Sequence, residues 1–376
     1  MNFTKSKHLF LLLGITLVST LLFWSAFYFN IPGKIGMGNV SMETVWANYD
    51  GPNYIAIAKC GYQSDCLRSN FALPMPLEYY PAHFPGFPFL ISIFNNFFAG
   101  PQAMLFVTLA SSLLLTYFSY LFFGLYFKSD KSFILSLILI FFPGRLFILR
   151  QIGSPEPLFI ASILASIYFF KNKKYFLSAI FALIVQSLKS PGIILFIAYG
   201  LHWLITFSKT KQVNLAKYIW FLLSPLSVLA IFYLYFLQTG DFWAYFHSGD
   251  NIHLSFLPYS VFMSQNVWIN TIWLEDVIYI FGLALISLYS LHHKYKNSII
   301  FIFPLLFTIA TIFVGHRDIS RYISPVYPFI ILSLGKYLTK KSTLTIFVLL
   351  IPAIILYSLN FVSGNIAPIS NWAPYL

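Results

Sequence analysis

Phe84-Pro85-Gly86-Phe87-Pro88-Phe89-Leu90-Ile91-Ser92-Ile93-Phe94-Asn95-Asn96-Phe97-Phe98 is the stretch on which the fold turns. It is apolar, but only 15 residues long, with Pro85 and Pro88 near its start. A membrane-crossing helix needs about 20 apolar residues. The stretch is too short and too broken to cross, and it predicts a helix lying along a membrane surface. Counting it as a crossing would invert every later loop and put the lysine clusters of the chain on the outside, against the positive-inside bias.

Working outward from it, the rest of the chain reads as membrane-embedded. Of 376 residues, 59% are hydrophobic and 9% charged. The 34 charged side chains cannot cover a water-facing surface for a chain of this size. Apolar runs are continuous rather than alternating, which excludes an outer-membrane strand pattern. Eleven crossings are expected, at 8–29, 101–127, 132–149, 155–170, 175–189, 190–207, 218–238, 273–291, 298–314, 322–338 and 342–359. The first is too long for a signal-peptide core and is read as a retained helix whose N-terminus is cytoplasmic. Two long loops on the outer side follow, 30–100 and 239–272.

Charge supports this topology. The expected cytoplasmic segments hold 15 Lys and one acid, Asp130, for a net +14; the outer segments carry net −2, which together give the +12 of the chain. The basic residues form short clusters between apolar runs and no stripe or arm, so nucleic acid is not an expected partner. All five Arg fall on the outer side. Topology needs only positive charge, which Lys supplies; Arg adds a planar fork suited to phosphate or carboxylate. This pattern points to an outward-facing anion site.

Motifs narrow the chemistry. The chain has no P-loop, GxGxxG, HExxH, CxxC or GxSxG pattern, so nucleotide binding, zinc proteolysis and serine hydrolysis have no support. The two cysteines, Cys60 and Cys66, sit together in the first outer loop, either as a small disulfide loop or as two free thiols. The informative segments are Trp46-Ala-Asn-Tyr-Asp50-Gly-Pro-Asn-Tyr54-Ile-Ala-Ile-Ala-Lys-Cys-Gly61-Tyr62 and Tyr79-Tyr-Pro81-Ala-His83-Phe-Pro85-Gly-Phe-Pro88.

These segments resemble the first outer loop of the C-type (GT-C) glycosyltransferases, multi-spanning enzymes that use lipid-phosphate sugars, and within them the branch of the second GPI mannosyltransferase and its bacterial relatives. Four further segments resemble the family in order: Ser154-Pro-Glu156-Pro-Leu-Phe, Ser187-Leu-Lys189-Ser-Pro191-Gly192, Thr239-Gly-Asp241-Phe-Trp, and Arg321-Tyr322 followed by Pro325 and Pro328. The sequence departs from the family in Tyr49, where Trp is common, and in His83 within the Pro run.

The resemblance implies an all-α polytopic membrane protein, a single GT-C domain over residues 1–376 with about 11 transmembrane helices and juxtamembrane helices in the first outer loop. It implies a hexosyltransferase, with mannose suggested by the nearest branch, that moves a sugar from a polyprenyl-phosphate carrier to a hydroxyl of a glycan, lipid or protein on the outer face. Nothing in the sequence resembles a retention signal of the endoplasmic reticulum, so a bacterial plasma membrane is expected. Asp50 falls on the catalytic Asp of the family and is the expected base, with Glu156 orienting it. Lys189, Arg321 and Tyr322 are expected at the donor phosphate, and Tyr54, His83 and Asp241 at substrate. No metal is assigned, and a divalent cation shared by Glu156 stays open. Each residue also has a plainer role: Glu156 suits a helix N-terminus, Lys189 and Arg321 suit the ends of crossings, and Asp241 suits a structured turn. The competing function, a transporter or flippase of lipid-linked sugars, would place ionisable groups near mid-membrane. Here they cluster at loops and helix ends.

Overall fold

A computed structural model describes residues 3–72, 75–212, 215–249, 253–263, 265–269 and 274–376. Part of the expected loop 239–272 therefore lies outside the described residues. Every named element is helical. In order these are α1 (Phe3–Tyr28), α2 (Ile31–Lys34), α3 (Met42–Trp46), α4 (Gly51–Cys60), α5 (Ser64–Asn70), α6 (Gly86–Phe94), α7 (Gly100–Phe123), α8 (Ser129–Phe141), α9 (Gly144–Leu149) and α10 (Glu156–Lys171). There follow α11 (Tyr175–Leu188), α12 (Ile193–Thr210), α13 (Leu223–Thr239), α14 (Glu275–Tyr295), α15 (Ile299–Ile312), α16 (Ile319–Tyr322), α17 (Tyr327–Leu338) and α18 (Lys341–Gly364).

All eleven expected crossings coincide with helical structure. Among the described residues six helices are long and apolar enough to cross a membrane by themselves, including α1, α7, α14 and α18. The protein is thus a multi-pass membrane protein. The expected crossing 132–149 is broken: α8 stops at Phe141, Phe142 is extended, and α9 restarts after Pro143. Proline has no N–H to continue the ladder and biases the residue before it away from helix. The stretch read first, 84–98, contains the nine-residue α6. At 1.5 Å per residue it reaches only about 14 Å. It buries Phe87, Pro88 and Ile91 against α4, α7 and α11 while Phe89 and Ile93 stay exposed. A bridge between Cys60 and Cys66 closes the turn from α4 to α5, settling the open pairing as a disulfide.

At the centre α10 is buried from Glu156 to Ile167 and packs on α7 and α11. One polar point of the interior corrects the charge reading. Arg150, counted with the outer charges, is only 2% exposed. Its Nη2 donates to Thr116 Oγ1 at 2.7 Å, to the Ser112 carbonyl at 3.2 Å and to Thr16 Oγ1 at 3.3 Å, so it ties α1 to α7 inside the bundle. A guanidinium has five donors and can be satisfied by hydroxyls and carbonyls.

The ends of the helices sort into two groups. At one end, His8 bonds Ser129 (3.0 Å) and Lys171 donates to Ser298 (2.8 Å), joining segments that carry the lysines. At the other, the C-terminal tail packs on the first long loop: Ala367 N–H donates to the Ala47 carbonyl (2.8 Å), Asn48 to the Val362 carbonyl (2.9 Å) and Lys59 to the Pro374 carbonyl (2.9 Å). The described part of the second long loop joins this end too, with Ser255 N–H on the Phe313 carbonyl (2.8 Å) and Gly315 N–H on the His253 carbonyl (2.7 Å). The start of α1 and the end of α18 thus lie at opposite ends of the bundle. Both native cysteines are in the disulfide, so single introduced cysteines report sidedness cleanly. Ser69→Cys and Asn371→Cys are expected to react with an impermeant maleimide from one face, and Lys296→Cys from the other; labelling of Asn371→Cys and Lys296→Cys from the same face would refute the arrangement.

Candidate active site

Asp50 sits where the turn after α3 meets α4. Tyr49 just before it has φ 48°, the left-handed region. A bulky aromatic pays strain there and stays only where its surroundings over-determine it. Three contacts hold it: its hydroxyl donates to Asp318 Oδ2 (2.7 Å), its ring lies 4.4 Å under the Arg321 guanidinium, and it packs by Phe361. The twist turns Asp50 off the helix it precedes, since its side chain makes no cap hydrogen bond. It meets His83 instead, with His83 Nε2 3.5 Å from Asp50 Oδ1. His83 is fixed by its place after the short helix Leu77–Ala82 and by the edges of Tyr54 and Tyr79, each with ring centre 5.2 Å away.

Glu156 is the first residue of α10 and its side chain is 2% exposed. Its Oε1 accepts from Lys189 Nζ (2.8 Å) and Arg321 Nε (2.7 Å), and its Oε2 from the Ser154 hydroxyl. Lys189 stands where α11 ends and the chain runs extended into the Ser190-Pro191-Gly192 turn. Arg321 lies in α16, and its Nη2 donates to Asp50 Oδ2 at 3.0 Å. The result is one alternating chain of charge, Lys189–Glu156–Arg321–Asp50, with the His83 imidazole at its end. A second set sits beside it, with Arg145 Nε 3.0 Å from Asp318 Oδ1 and its guanidinium 3.9 Å from the Phe361 ring.

Both sets line a cavity of about 660 Å³. Its walls come from the first long loop, the α11–α12 turn, the segment between α15 and α17, and the end of α18. Burial works to raise the Asp50 carboxyl, but the Arg321 guanidinium and His83 outweigh it and hold it well below the usual carboxylate range. Burial, then the neighbouring His253, pushes His316 down to about 4, so its imidazole is neutral near pH 7.

Of the residues singled out in the sequence, Asp50, Glu156, Lys189, Arg321, Tyr322, Tyr54 and His83 all line this cavity. Asp241 lies apart from them. Its Oδ1 accepts the Trp243 N–H (2.8 Å) and its Oδ2 meets His247 Nδ1 (2.6 Å), so the carboxylate is spent on its own turn. Asp318 and the structural part of Tyr49 escaped the sequence reading. The charged triplet His316-Arg317-Asp318 in an apolar region was the available signal. The donor set does not fit the divalent cation left open above. Both Glu156 oxygens and both Asp50 oxygens already face donors, and among the described residues no group of three or more His, Cys, Asp or Glu is placed to hold a metal.

No family model matches the chain, and no curated protein does. Among solved structures, the crystal structure of ArnT from Cupriavidus metallidurans bound to undecaprenyl phosphate is similar in fold: TM-score 0.55 at 13% sequence identity, covering 93% of this chain and 74% of that one. The likeness shows the fold alone, an all-helical one that this chain shares with ArnT.

Two outcomes are expected from the charge chain. Removing one partner of a buried ion pair strands the other, so Arg321→Met is expected to lower stability by about 3–5 kcal/mol, and Arg321→Lys by less; thermal unfolding of the purified protein measures this, and an unchanged midpoint would refute the bridge. Asp50 has its folded pKa below its unfolded value of about 3.9. Its stabilisation is therefore complete above that value and drains away as pH falls below it toward the folded pKa. The unfolding midpoint of wild type should fall more steeply than that of Asp50→Asn between about pH 4 and pH 2 (roughly the window that opens below that value); parallel curves would count against the ion pair.

Proposed function

We propose that the protein is an inverting glycosyltransferase. It moves a sugar, mannose by the nearest motif resemblance, from a polyprenyl-phosphate carrier to an acceptor hydroxyl on the outer face of a bacterial plasma membrane. The observation that carries this is one cavity in which a carboxylate, Asp50, stands beside two cations, Arg321 and Lys189, joined through Glu156. The fold shared with ArnT, whose structure holds undecaprenyl phosphate, supports it.

In this reading the acceptor oxygen attacks the anomeric carbon as the bond to the lipid phosphate breaks. The acceptor proton passes to Asp50, and the electron pair leaves on the lipid phosphate, whose charge grows by one. Lys189 and the unused N–H groups of Arg321 receive that charge in a partly dry site, where preorganised donors act strongly. The two events support each other. While Arg321 leans on Asp50 the carboxylate is a weak base; as the phosphate draws the guanidinium toward itself, Asp50 regains basicity when the proton arrives. Transfer from opposite sides of one carbon inverts its configuration. The gathering of these groups in a single cavity at one end of the bundle favours transfer over carriage of a headgroup through the membrane.

The test uses a short-chain polyprenyl-phosphate-mannose donor with a panel of glycan and lipid acceptors. Asp50→Asn is expected to lower transfer at least 100-fold while the protein stays folded and monodisperse, in line with the roughly 10²–10⁴ that a positioned base supplies. Lys189→Ala is expected to raise the donor KM roughly 10- to 100-fold, the worth of one charge-assisted hydrogen bond. Full turnover in Asp50→Asn would remove the base from the reaction, and an unchanged donor KM in Lys189→Ala would make that residue structural.

A further inference from the structure

At the opposite end of the bundle, where the lysine-bearing segments meet, lies a second cavity of about 520 Å³. Lys171, Lys294, Lys296, His202, His292 and His293 line it, and among the described residues no acid does. None of the ion pairs in the described residues involves any of the six. Asp130, the acid expected on this face, does not line the cavity; it is exposed, 3.8 Å from His8.

Lysines near helix ends also serve topology and answer the helix dipole. Those roles ask only that the charges face water near their own helices. Here they converge on a hollow between helices. Lys171, last residue of α10, reaches across to Ser298 Oγ at the start of α15. That same hydroxyl caps α15 by accepting the Ile300 N–H, and the positive end of this 14-residue helix adds to the cations. His202 comes from α12 and is held by Tyr218 (2.9 Å). The hollow lies at helix ends, the depth of lipid headgroups. Below it an apolar strip leads along α14: Ile286, Tyr289 and His293 share one face, and Ile286 and Tyr289 are exposed, with the Tyr289 ring 4.6 Å from that of His293.

We propose that this cavity binds the phosphate of an anionic phospholipid headgroup from the leaflet it faces, with the acyl chains along the α14 strip. Basic pockets between membrane helices take such headgroups, each Lys near the surface contributing about 1 kcal/mol. A free phosphate offers the same charge but has no use for the apolar strip, and that difference separates the two sources. The site is independent of the transfer reading.

The test titrates the purified full-length protein in detergent with phosphatidylglycerol, phosphatidylcholine or inorganic phosphate and follows thermal unfolding. Phosphatidylglycerol is expected to raise the midpoint saturably, and phosphatidylcholine and inorganic phosphate to do little. In Lys294→Gln/Lys296→Gln the half-saturating phosphatidylglycerol concentration is expected to rise roughly 10- to 30-fold. Both side chains are exposed, so the lipid-free midpoint should be kept. Lys209→Gln/Lys211→Gln, two exposed lysines that do not line the cavity, should titrate as wild type. The proposal is overturned if the 294/296 variant titrates as wild type, if the 209/211 variant loses as much, or if phosphatidylcholine matches phosphatidylglycerol. It is equally overturned if inorganic phosphate alone gives the full shift.

Discussion

The Arg321 guanidinium, shared between Asp50 and Glu156, is the interaction on which the cavity depends. It joins three segments separated by 165 and 271 positions in sequence. Each stands at the start of a helix or in a short one, so the bridge sets how those helix ends meet. A lysine could not do the same, because a single ammonium lacks the rigid fork that reaches two carboxylates at fixed angles. Nor is the bridge needed to hold the bundle together. Charges taken out of water cost desolvation that their mutual attraction barely repays, and apolar packing would serve stability as well or better. The bundle already has such packing along α7, α10 and α11. An ion network kept at that cost in a cavity is what the proposed transfer would use.

The strained Tyr49 makes sense in the same terms. The residue before Asp50 must turn the chain so that the carboxylate leaves the N-terminus of α4 and enters the cavity. Tyr49 does so in a conformation unfavourable for its type, and three contacts hold it. Its hydroxyl reaches Asp318, which also pairs with Arg145, so the second ion set braces the first through an aromatic ring lying on Arg321. The sequence carries Tyr where the first loops it resembles commonly have Trp, and a phenol hydroxyl is what reaches Asp318 here.

Most of the fold was legible because apolar length and lysine placement are properties of single segments. Each expected crossing coincides with helical structure, and segments that carry the lysines meet at one end of the bundle. The failures have local causes. Pro143 breaks a run that hydropathy counts as continuous. Arg150 was counted as an outer charge because a run of residues does not reveal that Thr16, Ser112 and Thr116 offer it a buried polar berth. For the site, the resemblance of short segments to the GT-C family pointed to Asp50, Glu156, Lys189 and Arg321, and these four line one cavity. That their cations would already hold the carboxylates, rather than face them across an empty space, could not be read from spacing. Asp241 matched a motif just as well, but its acceptors close a local turn, a use that a motif of a few residues does not distinguish from substrate binding.

The paired state of the site raises a question for the proposed reaction: how a lipid phosphate could bind where Arg321 and Lys189 already hold carboxylates. Counting hydrogen-bond donors answers it. Arg321 gives two of its five N–H groups to Glu156 and Asp50, and Lys189 gives one of its three to Glu156. The site is balanced in charge but not saturated in donors. A phosphate can therefore enter without breaking a pair, and it makes the cavity net negative by its own charge when it does. That excess is largest when the leaving phosphate has gained its second charge, and it falls by one when the acceptor proton lands on Asp50. Proton and phosphate charge thus compensate within one enclosed volume, and the pairing seen at rest positions the same groups that the transfer would use.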